Sequence, residues 1–147
     1  MDTASPVRIE IETDVMFFDT DCGGVVSNIA YLRFVETART RLTDALAMPV
    51  SKMVETGVFA AVARTEIDYR RPARLGDRLR VTGWLAGTAA VRADCRFEIV
   101  RPADETLIAE CRQVVVLVDM ATGRPCKLPE TWHGSGGSIA GTAQSSA

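Results

Sequence analysis

The chain has 147 residues, of which 47% are hydrophobic, and its 17 basic residues nearly balance its 19 acidic residues. This is typical of one globular domain, and the near-neutral charge excludes the basic surface that a nucleic-acid-binding protein needs. No apolar run reaches the ~20 residues of a membrane-spanning helix, and the acidic, proline-containing start is unlike a signal peptide. The four cysteines are scattered without a metal-binding spacing, so we expect reduced thiols, no metal site and a cytoplasmic protein.

The first element is a predicted strand over residues 7–17. Apolar residues alternate there with charged ones, which is typical of a strand that buries one face. The apolar set is Val7, Ile9, Ile11, Val15 and Phe17.

A long helix is predicted over residues 27–47, directly after an acidic, glycine-containing turn. Its apolar residues recur every three or four positions, as one buried helix face requires. Ser27 or Asn28 can cap its start, and Pro49 marks its end. The apolar stripe comprises Ile29, Leu32, Phe34, Val35, Ala38, Leu42, Ala45 and Leu46.

Four further strands are predicted over residues 58–69, 78–86, 90–100 and 106–119, after a short helical or irregular link at residues 53–57. The short turns between them indicate a mainly antiparallel sheet. Residues 133–147 are rich in Gly and Ser, so we expect a disordered tail after a single domain over residues 1–132. The fold class is therefore α+β, with a five-stranded antiparallel sheet around one long helix.

Several segments carry a family resemblance that covers roughly residues 7–131. The chain resembles the hotdog-fold acyl-CoA thioesterases of the 4-hydroxybenzoyl-CoA thioesterase and YbgC-like type. That resemblance implies hydrolysis of an acyl thioester without a cofactor, coenzyme A being part of the substrate. It also implies a homodimer or tetramer whose subunits share a continuous sheet. The segments are residues 19–26, 31–34, 38–39, 67–73, 75–77 and 119–125.

Asp21 and Asn28 are the candidate catalytic residues. In the family, the position matching Asp21 holds the catalytic carboxylate, and the N–H at the position matching Asn28 contacts the thioester carbonyl. A helix N-terminus leaves about four N–H groups unbonded and carries partial positive charge, so it suits an oxyanion. From the residues alone, a turn-capping role for Asp21 ranks first; the resemblance favours catalysis.

We expect the substrate to contact Gly24, Val25, Tyr31 and Arg92. A small residue such as Gly24 lets a ligand approach the backbone, and Tyr31 fits core packing and an acyl pocket equally well. Arginines suit the phosphates of coenzyme A, although exposed strand arginines are common and that plain explanation ranks first. The candidates besides Arg92 are Arg64, Arg70, Arg71 and Arg74.

Other reactive residues have simpler interpretations. Asp19 is interpreted as a turn-forming residue or as one that supports Asp21 without contacting substrate. Cys22 is interpreted as a small residue in a tight turn, and His133 as a surface residue. With a single histidine beside the predicted tail, the chain has no Cys–His or Ser–His pair for nucleophilic catalysis.

The chain departs from the family pattern at Ser27 and Asn28, where relatives carry an aromatic residue and a histidine. Residues 87–90 are neutral where some relatives place basic residues for nucleotide phosphates. The thioester carrier is therefore coenzyme A or an acyl carrier protein. The alternative function is a non-catalytic protein that binds acyl thioesters.

Overall fold

The computed structural model describes residues 7–134 and the backbone of residues 137–138. One long helix, α1 (Asn28–Ala45), packs against an antiparallel sheet of five long strands in the order β1-β3-β4-β5-β2. The α+β class and the hotdog arrangement are thereby confirmed. The five strands are β1 (Arg8–Asp14), β2 (Val58–Tyr69), β3 (Arg78–Thr88), β4 (Arg92–Arg101) and β5 (Thr106–Asp119).

Four further short elements and one turn of 3-10 helix complete the described chain. The helix α2 (Val50–Thr56) occupies the predicted link between α1 and β2. Strand β6 (Arg124–Cys126) pairs with β5, and β7 (Gly137–Ser138) pairs in parallel with β3. The helix α3 (Glu130–His133) lies between them in the chain. None of the helices in the described part is long and apolar enough to cross a membrane.

The core lies between α1 and the facing side of the sheet. Buried residues of α1 recur at three- and four-residue intervals because 3.6 residues make one helical turn. Burying one large apolar side chain stabilises the fold by about 1.5–3 kcal/mol. The helix contributes Ala30, Tyr31, Phe34, Val35, Ala38 and Leu42, and the sheet contributes Leu79, Val81, Leu85, Phe97 and Ile99.

The first strand ends earlier than its alternating pattern predicts. Strand β1 stops at Asp14, and one turn of 3-10 helix occupies Phe17–Asp19. The Asp19 carboxylate accepts a hydrogen bond from the Met16 amide at 2.9 Å, which closes this turn. Phe17 is therefore 80% exposed, and its predicted place on the buried strand face is wrong.

The apolar stripe of α1 is wider than the surface that the sheet covers. Ile29 is 59% exposed and Leu32 is 41% exposed, although both belong to the predicted stripe. The sheet covers only one side of the helix, so two apolar side chains near its start remain accessible to solvent or to a partner.

Strand β2 forms one edge of the sheet. It pairs with β5 on one side, with a bulge between Val62 and Arg64, and residues 61–66 are exposed. Within the described chain its other side has no strand partner. An edge of this length presents unpaired backbone groups that can pair with another strand.

The end of the domain is held against the C-terminal end of α1. Trp132 is 1% exposed, and its indole Nε1 donates to the Leu46 carbonyl at 3.0 Å. His133, the first residue of the predicted tail, is exposed, and its Nδ1 lies 2.9 Å from Thr88 Oγ1. Residues 135–136 and 139–147 of that tail lie outside the described residues, as do the side chains of residues 137–138.

Candidate active site

The acidic turn folds back on itself before α1 begins. The Asp21 amide donates to the Val25 carbonyl, and the Gly24 amide donates to the Asp21 carbonyl, each at 3.0 Å. Gly24 has φ of 73°, a left-handed conformation that disfavours residues with a side chain. An isolated antiparallel β-bridge pairs Thr20 with Val26, directly before the helix cap at Ser27.

The Asp21 carboxylate is exposed at the tip of this turn. Its Oδ1 accepts a hydrogen bond from the Gly23 amide at 2.9 Å. A side chain at position 23 would place its Cβ 3.3 Å from that oxygen, which is tighter than ordinary contact. Asp21 thus caps its own turn through one oxygen. Its other oxygen has no hydrogen-bond partner among residues 7–134 and can face a ligand or water.

Asp19 has the structural role that the sequence predicts. It is 3% exposed, and besides the bond to the Met16 amide its carbonyl accepts from the Ser27 amide at 2.8 Å. Asp19 therefore joins the 3-10 turn to the first residue of the helix cap. Cys22 is exposed and lies in the tight turn that the bond from the Gly24 amide to the Asp21 carbonyl closes, as the sequence predicts.

The start of α1 offers free hydrogen-bond donors. Ser27 is the N-cap, and its Oγ accepts from the Ala30 amide at 3.3 Å. The amides of Asn28 and Ile29 have no acceptor within the described residues. Two N–H groups at the positive end of an 18-residue helix are therefore available to a developing oxyanion.

A cavity of about 360 Å³ opens beside this helix start. Val25, Val26, Asn28 and Tyr31 line one side, and residues 69–72 line the other. The lining is mainly apolar and includes two arginines. Asp21 belongs to the adjoining turn, whereas Asn28 is part of the lining. Among the predicted substrate contacts, Val25 and Tyr31 also line the cavity. Gly24 does not, but it directly precedes Val25 in the chain.

Tyr31 forms both core and pocket wall, the two interpretations that the sequence leaves open. It is 4% exposed, and its ring contacts those of Phe34 and Tyr69 at centroid distances of 6.3 and 5.4 Å. Its hydroxyl accepts a hydrogen bond from the Ala73 amide at 3.2 Å. Burial raises the pKa of this phenol, so it stays neutral.

The candidate arginines are not gathered at one place. Arg70 and Arg71 line the cavity, and Arg74 lies on the same loop. Arg64 is paired with Glu66 on β2. Arg92 is exposed at the start of β4, at the far end of the strands from the cavity within this chain. The structure thus places Arg92 apart from Asn28, and its contact with substrate stays a prediction.

Val26, Tyr69 and Pro72 line the cavity but were missed by sequence reasoning. They come from two segments about 40 positions apart. The Val26 amide donates to the Ala73 carbonyl at 2.8 Å, which brings the β2–β3 loop over the helix start. The spacing of residues within either segment does not predict that the β2–β3 loop lies over the helix start. Only the resemblance of residues 67–73 to the family pointed to this loop.

The described residues contain no set of metal ligands. Residues 7–134 contain no group of three or more His, Cys, Asp or Glu side chains that could hold an ion. The site itself presents a carboxylate, a helix N-terminus and an apolar cavity whose lining includes two arginines.

Known proteins resemble this chain in sequence and in fold. The chain matches the family model of the thioesterase-like superfamily over residues 15–133. It is 31% identical to the acyl-CoA thioester hydrolase YbgC of Shigella flexneri, covering 86% of this chain and 89% of that protein. It is 24% identical to a chloroplastic acyl-acyl carrier protein thioesterase of Arabidopsis thaliana, ATL3, covering 83% and 64% respectively.

Solved structures agree on the architecture. The crystal structure of Slr0204, a 1,4-dihydroxy-2-naphthoyl-CoA thioesterase from Synechocystis, superposes with a TM-score of 0.79. It is 24% identical and covers 88% of this chain and 95% of its own. The family match spans the acidic turn, helix α1 and strands β2 to β6. On these grounds the chain belongs to the thioesterase-like superfamily.

Proposed function

We propose that this protein is an acyl-CoA thioesterase that uses the Asp21 carboxylate and the free amides at the start of α1. The names of its relatives support thioester hydrolysis. The observation that carries the mechanism is that Asn28, whose amide is unbonded, lines the cavity and follows the turn that holds Asp21. Asp21 and Asn28 belong to one continuous segment, whose turn is closed by the hydrogen bonds between Asp21 and Val25 and between Gly24 and Asp21.

The amides of Asn28 and Ile29 would act on the thioester carbonyl. When a nucleophile attacks, the carbonyl oxygen becomes negatively charged, and N–H donors already aimed at it stabilise that charge. The role requires the backbone alone. It therefore survives the replacement of the family's histidine by Asn28 or of its aromatic residue by Ser27.

Asp21 would supply or activate the attacking oxygen. As a nucleophile, its carboxylate forms an acyl anhydride and expels the thiolate, and water then cleaves the anhydride to return the carboxylate. As a general base, it takes a proton from water as that water attacks, and the proton passes to the departing sulfur. Its free second oxygen suits either route, and both release one carboxylic acid and one thiol.

The thioester carrier in this proposal is coenzyme A, with an acyl carrier protein as the second candidate. The relative ATL3 is named as an acyl-acyl carrier protein thioesterase, which keeps the second carrier in consideration. The apolar cavity wall of Val25, Val26, Tyr31 and Tyr69 suits a hydrocarbon or aromatic portion of either substrate.

We further propose that two copies pair through β2. The exposed edge of β2 would extend the sheet into a second subunit, because this strand is 12 residues long and its exposed charges Arg64 and Glu66 already pair with each other. Exposed apolar side chains on α1 and β2 would be covered in the same step, namely Ile29, Leu32, Val62 and Tyr69. A further doubling would give a tetramer.

Thiol release from a panel of short, long and aromatic acyl-CoAs tests the proposed activity. We expect turnover of at least one acyl class, detected with a thiol reagent. Binding of acyl-CoA without release of thiol from any member would instead support the alternative function, a non-catalytic acyl-thioester-binding protein.

A further inference from the structure

Two neighbouring arginines at the cavity differ in their electrostatic surroundings. The Arg70 guanidinium donates to Glu110 Oε2 from Nε at 3.1 Å and from Nη2 at 2.9 Å. Its Nη2 also lies 3.9 Å from Asp68 Oδ2. The Glu110 hydrogen bonds raise the pKa of Arg70. Arg71 is exposed, and within residues 7–134 no carboxylate lies within ion-pair distance of it.

The backbone at these two residues is fixed. The amides of Arg70 and Arg71 both donate to the Ile108 carbonyl, at 2.8 and 3.1 Å. The loop is also held from the other side by the Val26–Ala73 hydrogen bond. The base of the Arg71 side chain is therefore held at the cavity wall, and only its flexible end has to be ordered by a ligand.

The cavity itself favours an anion. Its lining includes both arginines and no acidic residue. Since Arg70 is already neutralised by Glu110, the uncompensated positive charge at the wall is that of Arg71. A guanidinium presents five donors in a plane that matches phosphate and carboxylate oxygens.

We propose that Arg71 binds an anionic group of the thioester substrate. The group is either a phosphate of the carrier portion or a carboxylate on the acyl portion. Each presents two oxygens that can accept a bidentate pair of hydrogen bonds from a guanidinium. This inference rests on the proposed function, since it takes the cavity to be the thioester site. Arg71 rather than Arg70 would select the substrate, because Arg71 lines the cavity and has no carboxylate partner among residues 7–134.

Three substrates separate the two sources of charge. The first is the best neutral acyl-CoA of the wild-type protein, and the second is the same acyl group on N-acetylcysteamine, which has no phosphate. The third is the N-acetylcysteamine thioester of that acyl chain ending in a carboxylate. Each is assayed with wild type, Arg71→Gln and the control Arg124→Gln, an exposed arginine on β6 that lies outside the cavity lining.

We expect Arg71→Gln to raise KM by roughly 10- to 100-fold wherever its anion is present, because hydrogen bonds to charged groups are of that strength. A loss on acyl-CoA alone assigns the phosphate, and a loss on the carboxylated thioester alone assigns the carboxylate. Arg124→Gln should match wild type. Unchanged KM for all three substrates, or an equal loss on the neutral N-acetylcysteamine thioester, would overturn the proposal.

A titration separates this outcome from failure of the proposed function. Calorimetric binding of coenzyme A and of a carboxylated acyl-CoA needs no turnover. If wild type hydrolyses nothing, the proposed function fails. Weaker binding of either ligand by Arg71→Gln would then still support an anion site at Arg71, and equal binding of both would refute it.

Discussion

The hydroxyl of Tyr31 accepts a hydrogen bond from the Ala73 amide at 3.2 Å, and this contact joins α1 to the β2–β3 loop at the cavity wall. Ala73 is fully buried, so its amide has no access to water when the hydroxyl is removed. The Val26–Ala73 hydrogen bond lies beside it. One buried residue pair therefore positions the loop that carries Arg71 and Pro72.

Tyr31→Phe is expected to destabilise the protein by about 1–3 kcal/mol, because it leaves the buried Ala73 amide without an acceptor. Urea unfolding measures this change. The matched control is Tyr69→Phe, since Tyr69 is 50% exposed and its hydroxyl has no hydrogen bond among the described residues. Equal unfolding free energies for the two variants would contradict the role assigned to Tyr31.

A pH-dependent contribution is expected from Asp104. Hydrogen bonds from Arg101 and then Thr106 lower the pKa of this carboxyl from 3.8 to about 2. The folded state thus binds the proton less tightly than the unfolded chain does. The resulting stabilisation is complete above the unfolded pKa and is lost as the pH falls from about 4 towards 2.

Unfolding free energies of wild type and Asp104→Asn over the range from pH 7 to pH 2 measure this effect. The difference between the two proteins should be constant near neutral pH and should shrink below about pH 4. The asparagine keeps an oxygen for the Thr106 amide. A difference that does not change with pH would show that the Arg101–Asp104 pair is not responsible.

The cysteines should differ sharply in reactivity. Burial raises the pKa of Cys95 to about 12 and that of Cys111 to about 11, whereas Cys22 is exposed. Because the thiolate is the reactive form, we expect a thiol reagent at pH 8 to modify Cys22 in the folded protein and to leave the two buried thiols intact. Mass spectrometry of the labelled peptides measures this order.

Labelling of Cys22 is also expected to reduce thioester hydrolysis, because a bulky adduct would stand beside Asp21. Cys22→Ser provides the control, since it should keep its activity after the same treatment. Full activity of the labelled wild type would show that the acidic turn does not approach the substrate.

The sheet edge gives a prediction about assembly. Val62 is 38% exposed on β2, so we expect Val62→Asp to weaken the proposed pairing of two copies through that strand. Sedimentation equilibrium should show a dimer or tetramer for wild type and smaller species for the variant. Val54→Asp, at a 67% exposed position on α2, should sediment like wild type. A monomeric wild type would contradict the proposed assembly.

The sequence predicts the long elements well because their patterns are local. The spacing of Phe34, Ala38, Leu42 and Leu46 predicts a helix, and the structure places it at Asn28–Ala45. The order of the five strands along the chain is equally clear. Phe17 is misassigned because the Asp19 carboxylate closes a turn that interrupts the alternation. Such a side-chain contact leaves no periodic signal.

The site is predictable only in part, for a related reason. Asp21 and Asn28 belong to one continuous motif, so a single segment indicates both. The opposite cavity wall comes from the β2–β3 loop, which reaches the helix through Ala73, Val26 and Tyr31. The contrast between Arg70 and Arg71 depends on Glu110, which is distant in sequence, so only the folded chain distinguishes the two arginines.

The measurement that tests the central claim most directly is thioester hydrolysis by Asp21→Asn. Asparagine keeps a side-chain oxygen for the Gly23 amide, so the turn should stay folded while the carboxylate is lost. Asp44→Asn, an exposed residue at the far end of α1, is the matched control.

We predict that kcat of Asp21→Asn falls on the order of a thousandfold or more, with an unfolding free energy close to that of wild type, while Asp44→Asn remains active. Wild-type rates of thiol release by a correctly folded Asp21→Asn protein would contradict the account, because the carboxylate would then have no part in the reaction.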